Sequence, residues 1–233
     1  MNLAEYYDDY WRLHGDNFDM SRLQIIAERV HKGDDVLEVD CGPGVLASLL
    51  VARGATVQGT DLSQVAVQRA IEKGIPCQRV DLDCEPLPFA DNSFGTVISN
   101  SAIEHRFFSE KSLAECIRVL KPGGTFIICL PNTAHWICRL WLLFGRFPYV
   151  RNSPIDETHL RFFTVHEAKA LCTKYGARVI ATDGHASLWV RGFYPRILRW
   201  PPLAAIYNRL ARVYPSLFAR DFVLVCRKEA RAS

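Results

Sequence analysis

Apolar residues in this chain fall into short runs, and stretches of helical period separate them. Residues 35–39, with Val36, Leu37 and Val39, predict a strand, and 44–53 predict a helix stopped by Gly54. Ala55–Thr60 predict the next strand. Ser63 is placed to cap a helix that runs through Lys73 and closes at Gly74. Strands follow at Cys77–Val80 and Phe94–Ser99, then a helix over Ser109–Leu120. Lys121-Pro122-Gly123-Gly124 is a compact break before a strand at Thr125–Leu130. A helix at Val165–Tyr175 and strands at Arg178–Ala181 and Phe222–Arg227 complete the series, and residues 2–31 form a helical cover ahead of it. Strands alternating with helices at this spacing predict an α/β fold, a parallel sheet with helices on both faces. Ligands on such sheets sit beyond the carboxyl ends of the strands.

Two segments interrupt the alternation. Residues 133–163 are rich in His, Trp, Arg and Phe, and a long insertion after a strand end predicts a lid or substrate wall. Residues 186–220 are basic, aromatic and amphipathic, with Pro201-Pro202 breaking any continuous helix. The whole chain, 1–233, is expected to form one domain.

Composition narrows the class. Hydrophobic residues are 49% and charged residues 23%, as in soluble globular proteins. The net charge of +3 argues for no nucleic-acid partner. Charge is uneven, however: residues 186–233 carry nine Lys/Arg and two Asp/Glu, hence +7, and the remainder carries −4. This makes 188–220 a candidate for peripheral membrane contact. The eight cysteines form no CxxC pair and lie largely in apolar runs, which predicts free thiols in a reducing, cytoplasmic setting. The first residues have no signal-peptide core, and Thr125–Gly145 is too interrupted to span a membrane.

Candidate chemistry concentrates in Val36-Leu37-Glu38-Val39-Asp40-Cys41-Gly42-Pro43-Gly44. A strand enters a glycine-bearing turn, a helix follows, and about 20 residues on a second strand ends at Asp61. This layout suits a nucleoside-bearing cofactor, with glycines admitting close backbone approach and the distal acid facing ribose hydroxyls. Asp40 stands where such turns usually carry their first glycine. Asp tolerates left-handed backbone better than most residues, so the turn is expected to survive.

With these stretches go GTDLS at 59–63, DLDCEPLPFADNSFGTVIS at 81–99, IEH at 103–105 and RVLKPGGTFIICLPN at 118–132. Together the motifs resemble the class I S-adenosylmethionine-dependent methyltransferases. NTAHWICRLWLLFGRFPY and DETHLRFFT look like methyltransferases of sugar, polysaccharide and natural-product pathways, and are more distantly similar to MetW proteins. The resemblance implies a Rossmann-like sheet of seven mostly parallel strands, the last antiparallel, and S-adenosyl-L-methionine as cofactor with S-adenosyl-L-homocysteine as product. It also implies residue roles. Glu38, Asp40, Gly42 and Gly44 would face the methionine portion, Asp61 and Leu62 the ribose, and Leu82 and Asp83 the adenine. Ser99 and Asn100 would line the methionine chain. Gly95 stands where the family usually has an acid in the fourth strand.

Methyl transfer to a hydroxyl benefits from a base. His105 is the first candidate and His159 the second, with Asp156 placed to orient it. Tyr6 and Tyr10 from the cover, and His135, Tyr149 and Arg161 from the insertion, are candidate contacts for a small acceptor such as a sugar, glycan or natural product. Tyr7 and Trp11 are also placed to close over the cofactor, and Arg12 or Arg22 to reach its carboxylate. No set of residues has dependable metal-ligand spacing, so metal independence is expected. Two other readings compete: a non-catalytic MetW-like protein that binds a partner enzyme, and methylation of a lipid-linked substrate at a membrane surface.

Overall fold

The structure is a computed structural model that describes residues 2–16 and 18–229. Met1, Asn17 and residues 230–233 of the expected 1–233 domain lie outside the described residues. A seven-stranded sheet has the order β3-β2-β1-β4-β5-β7-β6. Its strands are β1 (Asp35–Val39), β2 (Thr56–Asp61), β3 (Cys77–Arg79), β4 (Phe94–Asn100), β5 (Leu120–Pro131), β6 (Ala177–His185) and β7 (Asp221–Lys228). Neighbours from β3 through β5 pair parallel, and β7 pairs antiparallel with both β5 and β6. The fold class and the reversed last strand are as the resemblance implies.

Period-two alternation sorts the core onto two faces. Leu37, Val39, Val97, Phe126 and Ile128 pack one face against helices α5 (Ser109–Val119) and α7 (Val165–Lys174). Val36, Ile98, Ile127 and Cys129 face the other side, against α2 (Met20–Ala27), α3 (Val45–Ala52) and α4 (Gln64–Glu72). These fully buried strands read as continuous apolar runs because both faces are covered.

Three boundaries differ from the pattern. The helical cover splits into α1 (Leu3–Leu13) and α2, because Gly15 and Asp16 leave the helix and Asp19 caps a new one by accepting from the Arg22 N–H. The Lys121–Gly124 break lies inside β5, where a register shift against β4 at Phe94/Thr96 absorbs it. This bulge holds Gly95, around whose missing side chain only the Asp35 carbonyl oxygen comes near. Strand β6 extends to His185, since its antiparallel ladder with β7 pairs every residue up to Asp221 except at one bulge.

In the insertion, α6 (Trp136–Leu143) is followed by irregular chain, and a parallel bridge between Asn132 and Phe163 closes its base. Pro201 and Pro202 start α8 (Pro201–Val213), where proline's fixed φ suits the first turn. A third apolar cluster joins α6, the 186–194 segment, α8 and α9 (Pro215–Phe218). Among the described residues, no helix is long and apolar enough to cross a membrane. The described cysteines are all free.

Candidate functional site

The carboxyl ends of β1, β2 and β4 open into a cavity of about 1100 Å³. This slightly exceeds the ~300–1,000 Å³ usual for one small ligand. A shallower groove of about 640 Å³ around Phe107, Phe108, Arg161 and Phe162 contains none of these strand ends.

The floor of the cavity is the turn after β1. Asp40 adopts left-handed backbone (φ 54°), so it does fill the glycine's conformational place. Its carboxylate is clamped by the buried Arg106, which donates through Nε at 3.2 Å and through Nη2. Arg106 also reaches Asp81 at 3.4 Å. The charge that made Asp40 anomalous is therefore paired. Arg106 had no sequence signal beyond following IEH, since its partner is 66 residues away.

Gly42 (φ +55°) lies under Trp11 of α1, and a Cβ there would stand 3.0 Å from the indole. Gly44 (φ +74°) serves packing instead. It caps α3, and a Cβ would press on Ala70 at 3.1 Å.

Asp61, at the end of β2, is buried and uses both oxygens locally. One accepts from the Gly42 N–H and the other from the Ser63 N–H, each at 2.8 Å. Burial and the nearby Asp40 charge push it up to about 7, against the pull of those two N–H groups. Leu62 walls the cavity beside it. Glu38 is pushed up to about 8, chiefly by burial, and its Oε2 has no partner. Asn100 Oδ1 is also buried without a partner on this wall. Ser99 Oγ is likewise unpartnered but buried off the cavity wall.

Arg22, not Arg12, lines the cavity. Its Nη1 donates to Ser101 Oγ at 2.9 Å while its Nε lacks a partner. Unpartnered buried oxygens and a buried cation leave polar demand that a zwitterionic nucleoside cofactor would meet. The residues present therefore fit S-adenosyl-L-methionine.

The far wall is the loop after β4 meeting the insertion. His105 stands at the end of the short 3₁₀ turn Ile103–His105, and its Nδ1–H donates to the Thr158 carbonyl at 3.0 Å. His159 Nδ1 is 3.2 Å from the Pro154 carbonyl, and the two rings lie 4.9 Å apart. A carbonyl can only accept, so both neutral rings keep their lone pair on Nε2. Burial, then the neighbouring His159, pushes His105 down to about 4, and burial also lowers His159. Glu104 is buried on the same wall, raised to about 8 chiefly by burial, with Oε2 unpartnered. Contrary to the expectation of no ligand set, one donor atom from each of Glu104, His105 and His159 lies within 4.8 Å of the others. Tyr6, Tyr7 and Tyr10 of α1 close this end.

Several expected site residues lie elsewhere. Leu82 is core, and Asp83 accepts from the Phe107 and Phe108 N–H groups at 3.3 and 3.0 Å, fastening the start of α5. His135 is fully buried off the cavity. It accepts from the Ile137 N–H at 3.2 Å, caps α6 and meets the Tyr207 hydroxyl at 2.8 Å. Tyr149 is exposed against Phe147, and Arg161 donates to the Phe107 carbonyl in the shallow groove. Within the insertion, α6 packs on α8 and carries His135 into that contact, so 151–159 is the part of the insertion that lines the cavity. Asp156 does not hold His159 by its side chain, since its carboxylate accepts from the Asn152 N–H and from both the N–H and hydroxyl of Thr158.

Comparisons with known proteins agree with this architecture. Residues 20–197 match the family model described as "Methionine biosynthesis protein MetW". A Mycolicibacterium smegmatis protein named "Probable S-adenosylmethionine-dependent methyltransferase" is 30% identical over 72% of this chain and 63% of its own length. A Pseudomonas fluorescens ubiquinone biosynthesis O-methyltransferase is 33% identical over 44% of this chain and 47% of its own. The chain thus spans less than two thirds of the length of the curated relatives it matches. Among solved structures, the Haloferax volcanii protein in complex with the Trm112 methyltransferase activator superposes with a TM-score of 0.65 at 20% identity, covering 100% of both chains. A Thermotoga maritima S-adenosylmethionine-dependent methyltransferase superposes at 0.64 and 17% identity, covering 90% of this chain and 89% of its own.

Proposed function

Because the chain belongs to the MetW family, we propose that it moves a methyl group from S-adenosyl-L-methionine to a hydroxyl of a small acceptor held in the same cavity. The observation that carries this reading is the unpartnered polar wall at the ends of β1 and β4, where Glu38 and Asn100 line the cavity beside the turn at Gly42. When bound, the cofactor supplies an activated methyl on a sulfonium. The chain's own residues align, enclose and deprotonate. Asp61 and Leu62 would hold the ribose, Glu38 and Asn100 the amino-acid end, and Arg22 its carboxylate. Tyr6, Tyr7, Tyr10 and Trp11 exclude water from above, favouring an in-line approach of the acceptor oxygen.

His105 is the proposed base. It is neutral at physiological pH and its tautomer leaves Nε2 to accept the hydroxyl proton. His159 supports it by closing the other side. A sugar, glycan or natural-product hydroxyl suits a wall of histidines and tyrosine rings. S-adenosyl-L-homocysteine would be the product.

Calorimetric titration with S-adenosyl-L-methionine tests the cofactor site, with saturable binding expected. Extracts incubated with the protein and a deuterated-methyl cofactor should yield a labelled small molecule by mass spectrometry. Absence of cofactor binding would turn the assignment towards a partner-binding scaffold.

One observation favours a second reading. Leu142, Leu143 and Phe144 are exposed at the end of α6, within a few residues of the exposed Arg139 and Arg146, a stretch suited to anionic lipid and so to a lipid-linked acceptor. Sedimentation with anionic vesicles tests it, and no association at low salt excludes it.

A further inference from the structure

We propose that Glu104, His105 and His159 form a binding site for a divalent transition metal of the zinc class, open on its cavity side. Two imidazoles and one carboxylate are the donor set such ions take when some coordination positions stay free. Three observations converge on it. One donor atom from each residue lies within 4.8 Å of the others. Both imidazoles are already supported from behind, His105 by the Thr158 carbonyl at 3.0 Å and His159 by the Pro154 carbonyl at 3.2 Å. This second layer is what metal-bound histidines carry, because it turns Nε2 towards the ion. Finally, Glu104 is 1% exposed and its Oε2 has no hydrogen-bond partner, so a buried ligand oxygen is left over.

Tetrahedral sites with bonds of ~2.0–2.1 Å hold their ligand atoms ~3.3 Å apart. The triad therefore has to tighten by at most about 1.5 Å. His159 lies in irregular chain rather than in a helix or strand, so its approach breaks no element. The charges around the triad are mixed, with Arg22 and Arg106 against Asp40, Asp156 and Asp221. No single sign dominates against a cation.

The chain supplies three ligands, so the remaining positions are left to water or an acceptor oxygen. Metal on Nε2 of His105 takes the lone pair that the metal-free ring offers as a base, so the two states exclude each other. The inference rests on methyl transfer only for what those open positions would receive. The metal affinity stands apart from it.

The test is a competition titration of the reduced full-length chain with Zn²⁺, repeated on Glu104→Gln and His159→Ala. One Zn²⁺ per chain is expected, with affinity falling at least ~100-fold in each variant, more than the loss of a supporting bond would give. Mg²⁺ at the same concentration is expected not to compete, since it prefers all-oxygen sites. Equal affinity in the wild type and both variants, or competition by Mg²⁺ alone, overturns the site. If a variant does not fold, Co²⁺ loading of the wild type decides. Ligand-field bands without a thiolate charge-transfer band support the triad, and a thiolate band assigns the metal to cysteines instead. Zinc binding without cofactor binding would overturn methyl transfer and leave this site, and the reverse would overturn this site alone.

Discussion

The two walls of the cavity are built by opposite means. The turn after β1 is held by charged and backbone bonds between distant strand ends: Asp40 to Arg106, and Asp61 to Gly42 and Ser63. The His105–His159 wall is held by neutral contacts, the two imidazoles on carbonyls and the Leu160 and Arg161 N–H groups on the Glu104 carbonyl, and Glu104 Oε2 is left without a partner. In the first wall the charged groups of the turn, Asp40, Asp61 and Arg106, are paired, and the unpartnered oxygens are those of Glu38 and Asn100 beside it. The second keeps polar capacity in reserve, as expected of groups that act on a ligand.

The contrast can be broken most strongly at Asp40. Asp40→Ala leaves Arg106 buried with only the more distant Asp81, and should lower stability by about 3–5 kcal/mol in urea denaturation. Replacing both residues, Asp40→Gly with Arg106→Met, should restore most of that loss. At the other wall, His105→Ala should reduce kcat by about 100-fold with little change in stability.

The pH profile separates the roles further. His105 sits at about 4 in the folded chain, so as a base it is lost only when pH falls through that value. At saturating cofactor, which removes the contribution of the Asp61 carboxyl at about 7, the acid limb of kcat should therefore lie near pH 4, and a limb near 6.5 would argue against this assignment. Asp61→Ala should weaken cofactor binding 10- to 100-fold by calorimetry, the worth of a charge-assisted hydrogen bond. The smallest effect is expected at Asp83. Asp83→Ala removes a fastening of α5 worth about 1 kcal/mol and should leave cofactor affinity within about threefold.

Glu38 contributes a slope in stability. Its folded value of about 8 lies above its unfolded one, so the folded chain binds the proton more tightly. Stability is fully present below the unfolded value and declines as pH rises to about 8. Glu38→Gln should flatten that decline by roughly 1–3 kcal/mol across the window.

The sheet and the turn were legible because their signals are local. Buried parallel strands are apolar runs, and glycines and acids stand at their ends. Asp61 and Asp83 show where that logic stops. Both are acids following a strand-like run, and both bind two backbone N–H groups, but one lines the cavity and the other anchors α5. Residue type and spacing cannot separate them, because the difference lies in which N–H groups the fold brings near. The same holds for His135 and His159. Both belong to one insertion, but α6 carries His135 onto α8 while the loop returns His159 to the sheet. Arg106 was hidden by distance along the chain. The left-handed Asp40 was its one trace, a charge that needed a counter-charge.

Helix α1, which closes the cavity from above, has no buried residue. It is fastened through Asp8 to the Ser63 hydroxyl and Val65 N–H, through Arg69 to the Trp11 and His14 carbonyls, and by pairs from Asp16 to Arg69 and Lys73. Half-exposed ion pairs weaken as mobile ions screen them, whereas the apolar floor beneath does not. Ionic strength should therefore act as a throttle on traffic through the cavity mouth: rising salt is expected to loosen the cover and quicken cofactor exchange in stopped-flow measurements, leaving the turn below it unchanged.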